Sequence, residues 1–267
     1  MKVALIGCGS IGKVIARHVT EKRIKAELEC VYDIDTKKAL EFAKKFHTEY
    51  KEFDEILKQD IDLVLEAASQ QAVRTLIPKA LKAKKNVMIM STGALVDEHL
   101  LKEIRELAEK NNLKVYLPSG AIAGLDGIKS AGSEVERVTI KTTKSPESLE
   151  GAPFFEKHHV NLHEIKKPTM IYEGPAEEAV RLFPSNVNVA ASLSLAGIGP
   201  KRTKVQIIAD PDIKCNIHEI IAEGKFGVLR LRAENVPSPD NPKTSYLAAL
   251  SAVATLRKIT EPIQVGT

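Results

Sequence analysis

The sequence predicts an α/β architecture: a doubly wound parallel sheet followed by a second α+β domain with an open mixed sheet. Three observations predict it. Strand-like and helix-like segments alternate regularly over residues 2–116, a pattern that builds parallel sheets covered by helices on both sides. Near Pro118 the pattern changes, and strand-like runs dominate from about residue 134 onward. A glycine-rich turn, Gly7-Cys8-Gly9-Ser10-Ile11-Gly12, joins the first strand-like run to the first helix-like one.

Each element follows from its periodicity. Residues 2–6 are a short apolar strand, and Ile11, Val14, Ile15 and Val19 recur at helical spacing within 11–21. Residues 28–32 are strand-like again and close one βαβ unit. A helix over 36–46 begins after Asp35, a side chain suited to an N-cap. The run 61–65 is continuously apolar, as a strand buried on both faces must be. A helix over 70–84, a strand over 86–90, a helix over 97–110 and a strand over 113–116 continue the series.

In the second part, strands are predicted over 135–143, 169–172, 204–209, 214–221 and 227–233, with helices over 176–182 and 187–196 between them. Residues 237–242 read as a turn-rich connector, and 245–258 as a helix that packs back on the first domain. The expected domains are residues 1–120, joined by the C-terminal helix within 240–267, and residues 121–239.

Composition narrows the function classes. The chain is 43% apolar and 28% charged, which describes a folded globular protein rather than a disordered one. Its 39 Lys and Arg are nearly balanced by 35 Asp and Glu, and only 4% of residues are aromatic, so a nucleic-acid surface is disfavoured. Cys8, Cys30 and Cys215 are far apart and in no metal-ligand spacing, which suits a reducing compartment without disulfides. The N-terminal apolar stretch is short and broken by glycines, so it reads as neither signal peptide nor membrane span. A cytoplasmic location is expected.

The glycine turn matches G-x-G-x-x-G and sits directly after a strand and before a helix, the context of a Rossmann dinucleotide site. Gly7 permits the tight turn, Gly9 lets the backbone approach a pyrophosphate, and Gly12 lets the helix lie close to the strand. Ser10 and Ile11 open the helix whose N-terminus faces the phosphates. The motif alone would also fit a ligand-free turn. Asp33, 21 residues past Gly12 at the end of the second strand, tips the choice, because a carboxylate there accepts ribose hydroxyls. It also repels a 2′-phosphate, so NAD is the expected cofactor, while Lys37 and Lys38 nearby leave NADP open. Ala67 and Ala68, after the buried strand, are small enough for a cofactor to lie on the backbone. An ordinary loop with Ser69 capping the next helix explains the same residues, and Ser91-Thr92-Gly93-Ala94 has the same status.

Hydride chemistry needs a proton acceptor. Among the seven histidines His218 stands out, because strand alternation places Lys214, Asn216 and His218 on one face, with Cys215, Ile217 and Ile221 opposite. That polar face reads as the floor of a cleft or as a solvent-exposed face, and pattern alone favours the second. His158, His159 and His163 invite a metal reading. Their lysine-rich, loop-like context and the absence of an H-E-x-x-H order argue for a solvated segment instead, so no metal is expected.

The turn Gly7-x-Gly9-x-x-Gly12, the stretch 118–126 (PSGAIAGLD), the run 183–190 (FPSNVNVA) and Asn216-Ile217-His218-Glu219 together resemble the archaeal-type L-aspartate dehydrogenases over the whole chain. The first motif is shared by countless dehydrogenases, whereas the other three in this order are far more specific. The resemblance implies NAD(P)-dependent oxidation of L-aspartate at its CH–NH2 group to iminoaspartate, which hydrolyses to oxaloacetate and ammonia or feeds NAD biosynthesis through quinolinate synthesis. It implies a homodimer or larger homo-oligomer. It assigns His218 as the catalytic histidine and Ala121 and Asn188 as NAD contacts, reversing the choice that pattern alone makes for His218.

Aspartate carries two carboxylates, and Lys141, Lys144, Lys201, Arg202 and Lys204 are candidate cations for them, with no sequence ground for choosing. A dihydrodipicolinate reductase-like enzyme is the nearest alternative, but no basic His/Lys pair is evident in the second domain. A sugar dehydrogenase would place a Lys-Pro pair where Ser91-Thr92 stands. A non-catalytic NAD sensor is the alternative of another class.

Overall fold

The computed structural model describes residues 1–158, 160–184, 187–238 and 241–266, the side chains of residues 242 and 243 excepted. The chain divides into two compact units: Met1–Pro118 with Ala249–Val265, and Ser119–Ala248 with the chain end from Gly266.

The first unit is a six-stranded, all-parallel sheet. Its strands are β1 (Lys2–Ile6), β2 (Glu27–Tyr32), β3 (Glu49–Tyr50), β4 (Leu63–Glu66), β5 (Asn86–Ile89) and β6 (Val115–Tyr116), laid in the order β3-β2-β1-β4-β5-β6. The order reverses beside β1, which places a crevice at the carboxyl ends of β1 and β4. Helices α1 (Ser10–Thr20), α2 (Thr36–Phe46), α3 (Phe53–Ile56), α4 (Gln70–Lys82) and α5 (Glu98–Lys110) connect the strands. Asp35 caps α2 by accepting from the Lys38 amide, and Ser69 caps α4 by accepting from the Ala72 amide.

One face of this sheet, carrying Val3, Leu5, Leu63, Leu65 and Met88, is buried with Ile15 and Val19 of α1 and Phe42 and Phe46 of α2. Ala252, Val253 and Leu256 complete the same cluster. They belong to the last helix of the chain, Tyr246–Thr260, most of which lies in this unit.

Sequence periodicity missed β3 and α3, because elements of two and four residues are too short for a period to register. It placed the fourth strand at 61–65, whereas β4 ends on Glu66, a charged residue that a buried strand would ordinarily exclude.

The second unit is built on a five-stranded mixed sheet. Its elements in chain order are α6 (Leu125–Ala131), β7 (Val135–Lys144), α7 (Pro146–Leu149), α8 (Pro153–His158), β8 (Thr169–Pro175), α9 (Ala176–Leu182), α10 (Asn188–Ala196), β9 (Lys204–Ala209), β10 (Asn216–Gly224) and β11 (Gly227–Asn235). The strand order is β11-β10-β7-β9-β8, in which β7 and β9 run parallel and the other neighbours antiparallel. A small hairpin of β12 (Pro237–Ser238) and β13 (Asn241–Ser245) occupies the segment expected to be a connector, and α11 (Tyr246–Thr260) follows it.

Each sheet face has a distinct character. Val138, Ile140 and Thr142 of β7 pair with Ala222, Ile220 and His218 of β10, and all six are buried. Ile128 of α6 and the end of α10 meet near Val138 on that face. The opposite face carries the ion pairs of Glu219 with Lys141 and Arg232. Phe154, Tyr172 and Phe183 add an aromatic cluster, with the Phe154 and Phe183 rings stacked 5.0 Å apart. Among the described residues no helix is long and apolar enough to cross a membrane.

Candidate active site

The first unit brings Gly7, Gly9, Ser10, Ile11, Gly12, Asp33, Ala67 and Ala68 together at the carboxyl ends of β1, β2 and β4. Gly7 has φ of +101°, a conformation that excludes ordinary side chains, and its amide donates to the Tyr32 carbonyl. A Cβ at Gly7 would stand 2.5 Å from the Ala67 carbonyl oxygen, and one at Gly12 would stand 2.2 Å from the Gly7 carbonyl oxygen. Both glycines therefore serve the packing of the turn. Gly9 differs: a Cβ there would meet nothing within 4 Å, and Gly9 is the N-cap of α1, with no side-chain cap bond and no acidic residue in the first turn.

Asp33 sits just past β2, 9% exposed. Its carboxylate accepts from the Cys8 amide (2.8 Å), the Asp35 amide (3.1 Å) and the Lys38 ammonium (2.9 Å). Burial alone would raise this carboxyl, but the Cys8 amide, the Lys38 ammonium and the Asp35 amide outweigh it and hold it below its ordinary range. The charged form is thus ready at neutral pH. A dinucleotide fits these residues: open space beside Gly9 at a helix start for the phosphates, and an ionised carboxylate at the end of the neighbouring strand for the ribose.

Glu66 is fully buried, and sequence reasoning gave it no role of its own. Its carboxylate accepts from the Ala68, Ser69 and Ser91 amides and from the Ser91 hydroxyl, at 2.8–3.0 Å. Burial pushes the carboxyl up against the pull of those four donors. Through them Glu66 ties the loop carrying Ala67 and Ala68 to the one after β5. The signal was a lone acid closing an apolar strand with serines downstream.

In the second unit His218 is 3% exposed, which overturns the solvent-face reading. The polar face of β10 is the covered one, and it is Ile221 that is 36% exposed opposite. Lys214 does not share the face, because the turn at Asp210-Pro211-Asp212 delays the strand until Asn216 and leaves Lys214 exposed before it. Nδ1 of His218 lies 3.0 Å from Oγ1 of Thr142, its register partner on β7. Burial, and then the charge of Lys144, push the imidazole down to about 3, so it is neutral at physiological pH.

Around it the face is polar. Asn216 donates to the Ser245 hydroxyl, and Asn235, its register partner, donates to the Ala121 carbonyl at 2.9 Å. Ala121 and Asn188, which starts α10, both belong to this unit; the adjoining Gly120 approaches Val189 of α10. Ser185 and Asn186 of the neighbouring run lie outside the described residues.

The candidate cations separate by face. Lys141 is paired with Glu219 and Lys204 with Glu173 on the outer face, while Arg202 is exposed and donates to the Glu136 carbonyl. Lys144 is 3% exposed and two residues beyond Thr142 on the face of His218. The His/Lys pair that the sequence did not reveal is therefore present, assembled from strands far apart in the chain. His158 stacks on Phe154 and His163 lies 3.8 Å from Glu150, while His159 lies outside the described residues. Among the described residues no three His, Cys, Asp or Glu side chains cluster as metal ligands.

A parallel sheet of this strand order, with the glycine turn opening α1 and a carboxylate ending β2, defines a Rossmann-type dehydrogenase carrying a second, mixed-sheet unit. Residues 7–118 match the family described as homoserine dehydrogenase, NAD binding domain, and residues 126–259 the family described as aspartate dehydrogenase, C-terminal. The chain is 52% identical to the L-aspartate dehydrogenase of Methanosarcina barkeri and 50% identical to that of Methanosarcina acetivorans, with 100% of each chain covered. The crystal structure of aspartate dehydrogenase from Thermotoga maritima matches with a TM-score of 0.76 at 31% identity, covering 100% of this chain and 99% of that one. The chain belongs to the L-aspartate dehydrogenase family.

Proposed function

We propose that this chain oxidises L-aspartate at Cα to iminoaspartate with NAD as the oxidant, NADP being a second cofactor, and that His218 is its acid/base. The observation that carries the reading is the buried, neutral imidazole of His218 held by Thr142 on a polar sheet face. Family membership supplies the substrate.

When bound, NAD supplies the acceptor for the hydride that leaves Cα. The chain's own residues do the rest. Gly9, Ser10 and Ile11 hold the pyrophosphate at the start of α1 on the turn whose close packing Gly7 and Gly12 permit, Asp33 receives ribose hydroxyls, and Ala67 and Ala68 give the cofactor a bare backbone to lie on. Ala121 and Asn188 contribute contacts from the second unit.

The aspartate ammonium must lose a proton before its nitrogen lone pair can form the C=N bond as the Cα–H electron pair departs. His218 takes that proton on Nε2, a role that requires the tautomer in which Nδ1–H donates to Thr142 Oγ1, 3.0 Å away. In reverse the same nitrogen returns the proton. Water then adds to the imine and releases oxaloacetate and ammonia, or the imine passes to quinolinate synthesis and so to NAD biosynthesis.

In this reading residues 1–120 with the helix in 240–267 hold the cofactor, residues 121–239 handle the substrate, and the enzyme works as a cytoplasmic homodimer. The test is NADH formation with L-aspartate against a panel of other amino acids, in the wild type and His218→Ala. Aspartate-selective turnover that collapses in the variant, with NADH affinity kept, supports the reading. Near-normal turnover by His218→Ala overturns the role of the histidine, and no turnover of aspartate by the wild type overturns the function.

A further inference from the structure

We propose that Glu66 is a positioning residue for the nicotinamide end of the cofactor, acting through the two loops that its carboxylate binds. The inference rests on the cofactor placement above, with Asp33 at a ribose and the start of α1 at the pyrophosphate, and deepens it.

Strand order gives the direction. Asp33 lies just past the end of β2 and the glycine turn at the end of β1, and the sheet continues in the order β2-β1-β4-β5. A dinucleotide whose adenosine ribose meets Asp33 and whose phosphates meet the turn extends past the reversal beside β1, toward the carboxyl ends of β4 and β5. The loops at those two strand ends are the ones that Glu66 joins. Backbone bonds tie them to the turn: the Ala67 amide donates to the Ile6 carbonyl at 2.7 Å, and the Met90 amide to the Glu66 carbonyl at 3.0 Å.

Burial defines the role. The Glu66 side chain is fully buried, whereas Ala68 and Ser69, whose amides donate to Oε1 at 2.8 and 2.9 Å, are exposed. Glu66 therefore holds from beneath a surface that it does not itself form. On the side of β5, the Ser91 hydroxyl donates to Oε1 at 2.8 Å and the Ser91 amide to Oε2 at 3.0 Å.

The chemistry of the side chain fits this double grip. A buried anion is costly unless several donors converge on it, and here three amides and a hydroxyl do. The amides can only donate, so both side-chain oxygens must accept, which a carboxylate does and a carboxamide does not. In Glu66→Gln the oxygen that keeps Ala68 and Ser69 leaves an NH2 group against the Ser91 N–H, donor against donor, and the loop after β5 is released.

The experiment uses the full chain as Glu66→Gln, Ser91→Ala and Asp33→Ala beside the wild type. Calorimetric titration gives the affinities for NAD, NADH and ADP, the last keeping the adenosine and both phosphates while lacking the nicotinamide riboside. Thermal midpoints are recorded alongside. Glu66→Gln is expected to weaken NAD and NADH about tenfold or more, the loss of a hydrogen bond to a charged group, while ADP binding stays within about twofold of wild type. Ser91→Ala, which removes one donor and no charge, is expected to show the same selectivity at about fivefold. Asp33→Ala is expected to weaken NAD and ADP alike.

Selective loss of NAD and NADH in the folded variants supports the proposal. A loss of ADP equal to that of NAD, or NAD affinity within about twofold of wild type, overturns it and leaves a carboxylate that serves stability alone. Should Glu66→Gln fail to fold, Ser91→Ala decides by the same two criteria. An Asp33→Ala protein that binds ADP as the wild type does overturns the underlying cofactor placement instead.

Discussion

The Thr142 hydroxyl stands 3.0 Å from Nδ1 of His218, directly across the β7–β10 ladder, on a sheet face where both side chains are buried. In a neutral imidazole the bond made by one nitrogen decides what the other can do. Thr142→Val keeps the shape of the side chain and removes the hydroxyl. We expect kcat for aspartate oxidation to fall about tenfold or more, with NADH affinity and KM little changed, and Thr142→Ser to restore most of it. Steady-state kinetics on the three proteins check this; an unchanged kcat in Thr142→Val contradicts it.

Gly9 and Gly12 separate ligand from fold. A methyl at Gly12 would press on the Gly7 carbonyl at 2.2 Å, whereas one at Gly9 meets open space. Gly12→Ala is expected to cost roughly 1–3 kcal/mol of stability through overpacking. Gly9→Ala leaves the thermal midpoint in place and weakens NADH binding. Thermal unfolding and NADH titration of both variants read the two effects apart.

Asp33 and Lys38 form an ion pair of 2.9 Å at the end of β2. Asp33→Ala removes the acceptor for the ribose and the charge that repels a 2′-phosphate, so the KM for NAD should rise about tenfold or more while that for NADP rises less. Lys38→Ala leaves the Asp33 carboxylate unopposed and lowers the use of NADP. Equal losses of both cofactors in Asp33→Ala would remove the role given to this carboxylate.

Acid should destabilise the second unit through His218. Burial and then the charge of Lys144 depress its imidazole from 6.5 to about 3. An unfolded chain binds the proton below about 6.5, the native one only near 3, so stability is whole above 6.5 and declines as pH falls through that window. The slope is about 1.4 kcal/mol per pH unit for this group. Lys144, depressed from 10.5 to about 8, loses its contribution in the same sense as pH falls through 10.5 to 8, leaving a net cost at neutrality. Urea unfolding from pH 7 to 4 should show a shallower decline in His218→Asn than in the wild type, and Lys144→Met should unfold at higher urea than the wild type at pH 7.

Local signals carried the first unit. The glycine turn, Asp33 and the apolar runs are local features, for which period and spacing suffice, and the sheet is of the parallel, doubly wound kind they predict. The second site was only half legible. His218 was visible as a polar residue on a strand, but whether its face was covered depended on α6 and α10, which the strand pattern does not encode. Thr142 and Lys144 became its neighbours through pairing between β7 and β10, a non-local register that a single sequence does not reveal. Glu66 was hidden for another reason: its function is to be surrounded by amides, and those amides come from two separate loops.

The central claim is hydride transfer from Cα of aspartate to nicotinamide. Incubation of the protein with L-aspartate deuterated at Cα and unlabelled NAD, followed by mass analysis of the reduced cofactor, tests it directly. The account predicts NADH carrying one deuterium. Reduced cofactor without the label, or no reduced cofactor at all, would contradict it.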